Sequence, residues 1–242
     1  MSARGGTAAE AANAFESLRQ IYGGYCISRS LHIVAELGVA DAIDTTPRSA
    51  AELARAVGAD PEALDRILRL LSSNGVFESV NGGYAHSPSS FLLRSDHPQS
   101  ARPVARMFGL SVNWSTYGAL MHTARTGRPA AEIALPGGFW AHFAGHPEDS
   151  EIFNEAMVAK ARVQIAAIGP AYDFSSSRHI GDIGGGRGHL LQSILQAAPQ
   201  ARGVLFDLPH VIGDAAGVQS DRLTLQAGDF FKDALPECDT IC

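Results

Sequence analysis

Apolar residues in the first forty positions recur at mostly helical spacing. Phe15, Leu18, Tyr22, Tyr25, Ile33 and Leu37 lie within an Ala-rich stretch from Thr7 to Leu37. This spacing predicts a helix, and Gly23-Gly24 predicts a break or bend inside it. Two helix starts follow. Ser49-Ala-Ala-Glu52 has the form of a capping box, in which hydroxyl and carboxylate satisfy each other's backbone N–H. Asp60-Pro61 pairs an N-cap acid with a proline at the first helical position. Leu64, Ile67, Leu68 and Leu71 then form one apolar stripe, which Asn74-Gly75 ends. Val76–Val80 reads as a strand, Asn81-Gly82-Gly83 as a hairpin turn and Tyr84-Ala85 as the returning strand. Two helices and a hairpin make a winged-helix-like module. From Pro88 to Ile168 the pattern is mostly helical, with loops at Gly137-Gly138 and His146-Pro147 and a long helix from Pro147 or Glu148 to about Ile168.

The period then changes. Arg178–Ile183 is a short strand, Gly184–Gly188 a glycine-rich turn and His189–Ala198 a helix. Gly203–Phe206 and Leu223–Ala227 are further strands, and Asp239–Cys242 begins a fourth. Strand, helix and strand in alternation predict a parallel sheet. The expected domains are residues 1–100 as a helical, winged-helix-like domain and 101–170 as a helical linker and acceptor-pocket segment. Residues 171–242 form the first half of a Rossmann-like domain.

Composition narrows the function classes. The 242 residues are 45% hydrophobic and 18% charged, enough apolar material for a buried core. The formal charge of −6 argues against non-specific attraction to nucleic acid or anionic lipid. The winged-helix-like segment points the same way: Arg48, Arg55, Arg66, Arg69 and Arg94 are offset by Glu52, Asp60, Glu62, Asp65, Glu78 and Asp96, whereas a DNA reader needs a basic face. Cys26, Cys238 and Cys242 match no zinc spacing and read as free thiols. No metal site is expected. With no signal-peptide core at the start and no bilayer-length apolar run, the expectation is a soluble cytoplasmic protein without membrane partners.

The chemistry is concentrated in Asp182-Ile-Gly184-Gly185-Gly186-Arg187-Gly188, which follows a strand and opens a helix. Glycines permit a tight turn and a close approach of backbone N–H groups to a ligand. Asp207 ends the next strand, where a carboxylate can accept from two ribose hydroxyls. After the third strand, Gly228-Asp229-Phe230-Phe231 offers a carboxylate for an adenine amino group and an aromatic ring to pack on the base. The glycine spacing departs from the nicotinamide form. The acid two residues before the first glycine would repel a pyrophosphate and attract an ammonium or sulfonium. The expected cofactor is therefore S-adenosyl-L-methionine, held by Asp182, Gly184, Gly185, Gly186, Asp207, Leu208, Asp229 and Phe230.

These three motifs, with Phe153-Asn154-Glu155-Ala156-Met157 and Tyr172-Asp173-Phe174, resemble those of the bacterial and plant small-molecule O-methyltransferases, which include caffeate, hydroxyindole and polyketide methyltransferases. The resemblance runs from about Phe15 to the last residue. It implies an α/β doubly wound methyltransferase domain, incomplete here, preceded by a mainly helical winged-helix-like dimerisation domain. It further implies a homodimer through the N-terminal helices and a phenolic or hydroxylated natural product as acceptor, with Met107, Trp114, Phe143, Phe153, Asn154 and Met157 near that acceptor.

The family's general base is a histidine on the helix after the fourth strand, and the sequence stops at Cys242, inside that strand. The catalytic His is expected beyond Cys242, and none of His32, His86, His97, His122, His142, His146, His179, His189 and His210 takes its place. A shortened chain, a second chain completing the domain, and a fragment that works as it stands are the three explanations. The first is favoured, and residues 1–242 alone are expected to be inactive. Alternatives are a cofactor-binding or scaffolding fragment without chemistry, and a family member that uses its cofactor for a reaction other than methylation.

Overall fold

A computed structural model describes residues 8–242, which divide by their contacts into two compact units on either side of Ala156–Met157. In the first unit, helix α1 (Ala8–Leu37) runs unbroken through Gly23-Gly24. Two interior glycines cost a helix about 1 kcal/mol each. Tertiary packing outweighs this, because the following turns lay Ile27, Leu31 and Val34 on the core. The helix is not broken there.

Helices α2 (Ala50–Val57) and α3 (Pro61–Ser72) start where their caps predict. The Ser49 N–H donates to Glu52 Oε2 at 2.8 Å, and the Glu52 N–H donates to Ser49 Oγ at 3.3 Å. Asp60 Oδ1 accepts from the Ala63 N–H at 2.8 Å. Leu64, Leu68 and Leu71 on α3 are buried with Leu53 on α2 and with Phe77 and Tyr84 of the hairpin. That hairpin pairs β1 (Phe77–Val80) with β2 (Gly83–His86), and Asn81 and Gly82 both have positive φ, as a two-residue type I′ turn needs. Replacing Ser49 with alanine should cost about 1 kcal/mol, read as a lower urea midpoint with an unchanged slope.

Short helices complete this unit: α4 (Pro88–Phe91), α5 (Arg102–Gly109), α6 (Ser111–Gly118), α7 (Leu120–Thr126), α8 (Ala131–Ala134) and α9 (Phe139–Gly145). Arg102 joins α5 to the end of α1, donating to the Ala35 carbonyl and to Asp41 Oδ2, both at 2.8 Å. A second cluster holds Leu110, Val112, Leu135 and Phe143, with Phe139, Ile152 and Phe153 packed on it. Helix α10 (Pro147–Ala171) carries the chain from this unit into the next.

The second unit is an open parallel sheet of β3 (His179–Ile183), β4 (Arg202–Asp207), β5 (Leu223–Ala227) and β6 (Thr240–Ile241), in the order β5-β4-β3-β6. Helices α11 (His189–Ala197) and α12 (Pro209–Asp214) connect β3 to β4 and β4 to β5. Leu191, Ile194 and Leu195 of α11 bury against Ile180, Leu205 and Leu223 of the sheet. Because β6 pairs with β3, the order reverses direction at β3. Open α/β sheets bind ligands at such a switch point, outside the carboxyl ends of the strands. Among the described residues, no helix is long and apolar enough to cross a membrane.

Candidate functional site

The carboxyl ends of β3, β4 and β5 each deliver an acid. Asp182 is the penultimate residue of β3, Asp207 the last of β4, and Asp229 the second residue after β5. The glycine bend 184–188 follows β3 and leads directly into α11.

Gly186 adopts a φ of +60°, which a side-chain-bearing residue rarely takes. Its N–H donates to Asp207 Oδ2 at 2.9 Å. The Gly184 N–H donates to the Phe206 carbonyl at 2.8 Å, and the Gly188 N–H to the Gly185 carbonyl at 2.9 Å. These three glycine N–H groups are therefore used to shape the bend. Gly185 serves a different purpose: a Cβ there would lie 2.3 Å from the Asp182 carboxyl carbon. The bend rests directly on that carboxyl group.

Asp182 is only 4% exposed, and its Oδ2 has no hydrogen-bond partner. Burial, and then the Asp207 charge, push its carboxyl up to about 6 against the pull of a Leu191 N–H. Asp207 is half-buried at the open edge. Besides the Gly186 contact, its Oδ1 accepts from the Leu208 N–H at 2.7 Å. Each oxygen keeps a second lone pair for a ligand hydroxyl. Leu208 is 40% exposed beside it.

Asp229 sits in a tight turn: its own N–H donates to Asp233 Oδ2 at 2.7 Å, and its Oδ1 accepts from the Phe231 N–H at 2.9 Å. Lys232, which the sequence reading did not single out, donates to Asp229 Oδ2 at 2.8 Å. The Lys232 ammonium and the Phe231 N–H hold the Asp229 carboxyl below its ordinary range. The i, i+3 spacing of Asp229 and Lys232 was the available signal. Lys232 is 78% exposed, so a ligand amino group can displace it at small cost. Phe230 lies close to Gly184, its Cε1 3.6 Å from a Cβ built there, and its ring centroid is 4.4 Å from that of Phe231.

This set fits S-adenosylmethionine better than a dinucleotide. It presents three carboxylates, an orphaned buried acid oxygen and an exposed aromatic ring. Among the described residues the one cation in contact with the three acids is Lys232, on the outermost of them. A pyrophosphate would meet net repulsion there. No cluster of three or more His, Cys, Asp or Glu is placed to hold a metal among the described residues.

The other predicted residues are distributed as follows. Met107 on α5 is buried, and the Arg29 guanidinium lies 5.4 Å from the Trp114 ring centroid. The Trp114 Nε1–H is buried without a partner. Phe143 and Phe153 pack with centroids 4.8 Å apart and share an aromatic cluster with Phe139 and Trp140. Asn154 is half-buried near the end of the first unit, and Met157 begins the second. Trp140, 70% exposed, was not anticipated. Its place beside Phe139 and Phe143 at helical spacing was the signal. A hollow of about 440 Å³ between α10 and α11 is lined by Ile165, Ile168, Tyr172, Phe174, Leu190 and Ile194, and none of the three acids reaches it.

Comparison with known proteins gives the same picture. The O-methyltransferase domain family matches residues 117–242, and the O-methyltransferase dimerisation domain matches residues 19–96. The chain is 39% identical to a phenazine O-methyltransferase of Lysobacter antibioticus over 221 residues, covering 88% of this chain and 64% of the relative. Its fold superposes on the mitomycin 7-O-methyltransferase MmcR with a TM-score of 0.83 at 34% identity, covering 98% of this chain and 71% of that one. It superposes on CalO1, a methyltransferase of calicheamicin biosynthesis in its SAH-bound form, with a TM-score of 0.81 at 30% identity, covering 95% and 69%. The chain spans between 60% and 67% of the length of the first curated relatives it matches. With both domains matched and the acids and glycine bend in place, the chain belongs to the O-methyltransferase family that carries an N-terminal dimerisation domain.

Proposed function

We propose that this protein transfers a methyl group from S-adenosylmethionine to a hydroxyl of a phenolic or otherwise hydroxylated natural product, working as a homodimer. The observation that carries the cofactor reading is the convergence of Asp182, Asp207 and Asp229 on a glycine bend at the sheet's switch point. When bound, the cofactor supplies an electrophilic methyl group on a sulfonium whose leaving group is a neutral thioether. Asp207 accepts from the ribose hydroxyls, while Asp229 and Phe230 hold the adenine. Gly184, Gly185 and Gly186 let the backbone pass close to the ligand, with Leu208 at the pocket edge.

On the acceptor side, Met107, Trp114, Phe143, Phe153, Asn154 and Met157 are the proposed neighbours. The unpartnered Trp114 Nε1–H is a ready donor to an acceptor oxygen, and the aromatic cluster around Phe143 and Phe153 offers ring faces and edges. Holding the acceptor oxygen against the methyl carbon is the main contribution such a site makes to rate. No residue from 8 to 242 is assigned as general base. Relatives named as phenazine and mitomycin O-methyltransferases support a phenolic or hydroxylated natural product as acceptor.

The dimer reading rests on α1, where Phe15, Leu18, Ile21, Tyr22 and Tyr25 are 58–75% exposed on neighbouring turns. A contiguous apolar surface of this kind marks an interface. Titration calorimetry with S-adenosylmethionine and NAD, on a sample whose mass is measured by light scattering, tests the reading. A dimer that binds the sulfonium and ignores the dinucleotide is expected. Tight NAD binding with no heat from S-adenosylmethionine would overturn the function, and a monomeric mass would overturn the dimer.

A further inference from the structure

Asp182 is a buried acid whose place in the fold is unexplained by hydrogen bonding. It is 4% exposed, and one carboxyl oxygen has no partner. An unpaired buried carboxylate is costly, and such a group takes up a proton instead. The groups facing it relieve this only in part. From β4 comes the Asp207 carboxylate, a like charge. From α11 comes the Leu191 N–H, a single donor. Just after β6 comes Cys242, whose thiol is pushed up to about 12 by burial and then by Asp182, so it stays neutral. Among the described residues no cation contributes to its shift. Above it lies the Gly185 backbone, so close that a Cβ would fall 2.3 Å from the carboxyl carbon.

From this arrangement we infer that Asp182 is a buried counter-charge beneath the glycine bend, which gives up a proton to solvent when the cationic methionyl end of the cofactor docks. Asp182 is thus a positioning residue that acts through the bend, and cofactor binding is proton-linked. This inference rests on the S-adenosylmethionine reading above. Its chemistry is electrostatic. Below about pH 6 the free protein holds the neutral carboxylic acid, which avoids an unpaired buried charge and repulsion from Asp207; above it the carboxylate bears both costs. A positive charge on the ligand removes both penalties at once. The carboxylate then attracts the charged methionyl end and offers nothing to the adenosine part.

The experiment is calorimetry of the unmodified chain at pH 6 in two buffers of different ionisation enthalpy. The ligand's own α-amino group titrates near pH 8, so its charge is constant below pH 6.5. Because burial leaves the free carboxyl near 6, binding of S-adenosylmethionine should release about half a proton, and the affinity should fall roughly tenfold from pH 7 to pH 5. 5′-Methylthioadenosine, which lacks the methionyl end, should bind with no proton release. Histidines also exchange protons in this range, so His189→Gln, altering the first residue of α11, should keep the release, and Asp182→Asn should lose it. S-adenosylmethionine binding without proton release would overturn the inference and leave the cofactor reading intact. Equal release with methylthioadenosine would assign the proton to ordering of the bend and also overturn it. Absence of S-adenosylmethionine binding at every pH would sink the cofactor reading and this inference together.

Discussion

Replacing Asp207 with alanine is expected to weaken S-adenosylmethionine binding by at least about a hundredfold while leaving the sheet folded. The carboxylate ends β4 and ties the bend through the Gly186 N–H at 2.9 Å. It also keeps free lone pairs for two ribose hydroxyls. A hydrogen bond to a charged group contributes about 1.5–3 kcal/mol, so losing two removes about 3–6 kcal/mol, or roughly 10²–10⁴-fold in affinity. Releasing Gly186 loosens the bend as well, which adds to the loss. Calorimetry gives the affinity, and far-ultraviolet circular dichroism checks that the sheet persists. Unchanged affinity in a folded variant would remove Asp207 from the site.

The second large effect concerns stability. Asp182→Asn should stabilise the free protein at neutral pH relative to the unsubstituted chain. Folding raises the Asp182 carboxyl from 3.8 to about 6. The protonated group is therefore favoured in the fold: its stabilising contribution is complete below about pH 3.8 and is lost as pH rises through about 6. A rise of about two pH units corresponds to about 3 kcal/mol withheld from the ionised form at pH 7. Asparagine keeps the shape and an acceptor for the Leu191 N–H, and it does not ionise. The gap in unfolding free energy between variant and parent should widen by about 2–3 kcal/mol from pH 4 to pH 7 in urea melts. All other titrating groups are shared and cancel in the difference. A gap independent of pH would show that Asp182 is not desolvated in the free protein. With the cofactor bound the order should reverse, because the asparagine cannot supply the counter-charge.

These two predictions place the cofactor site on a conflict between stability and ligand charge. A buried acid with one unpartnered oxygen weakens the free domain, and the glycine bend keeps that acid within the field of whatever lies above it. Stability given up at a binding site is a recurrent feature of functional residues. Here it falls on one side chain.

How much of this was legible in the residue order depends on the range of the interactions involved. The capping box at Ser49 and the Asp60-Pro61 start act over four residues or fewer, the α3 stripe repeats at helical spacing, and each formed as read; the Asn81-Gly82-Gly83 turn formed with Gly83 already paired to Val80 as the first residue of β2. The strand, bend and helix around Asp182–Gly188 were equally local. Their chemistry could be inferred because an ionised acid beside closely spaced glycines disfavours a pyrophosphate.

Other features required distant segments to meet. Gly23-Gly24 locally favours a break, and burial of Ile27, Leu31 and Val34 against residues far along the chain keeps α1 continuous. The pairing of β6 with β3, which creates the switch point, is a choice between sheet edges that no single strand specifies. The burial of Asp182 depends on α11 folding back over β3, on the bend closing above it and on Asp207 arriving from β4. Residue type supplied the acid and the glycines. Desolvation by chain segments remote in sequence made that acid a group that titrates near pH 6, because the cost of a charge is set by what surrounds it in space.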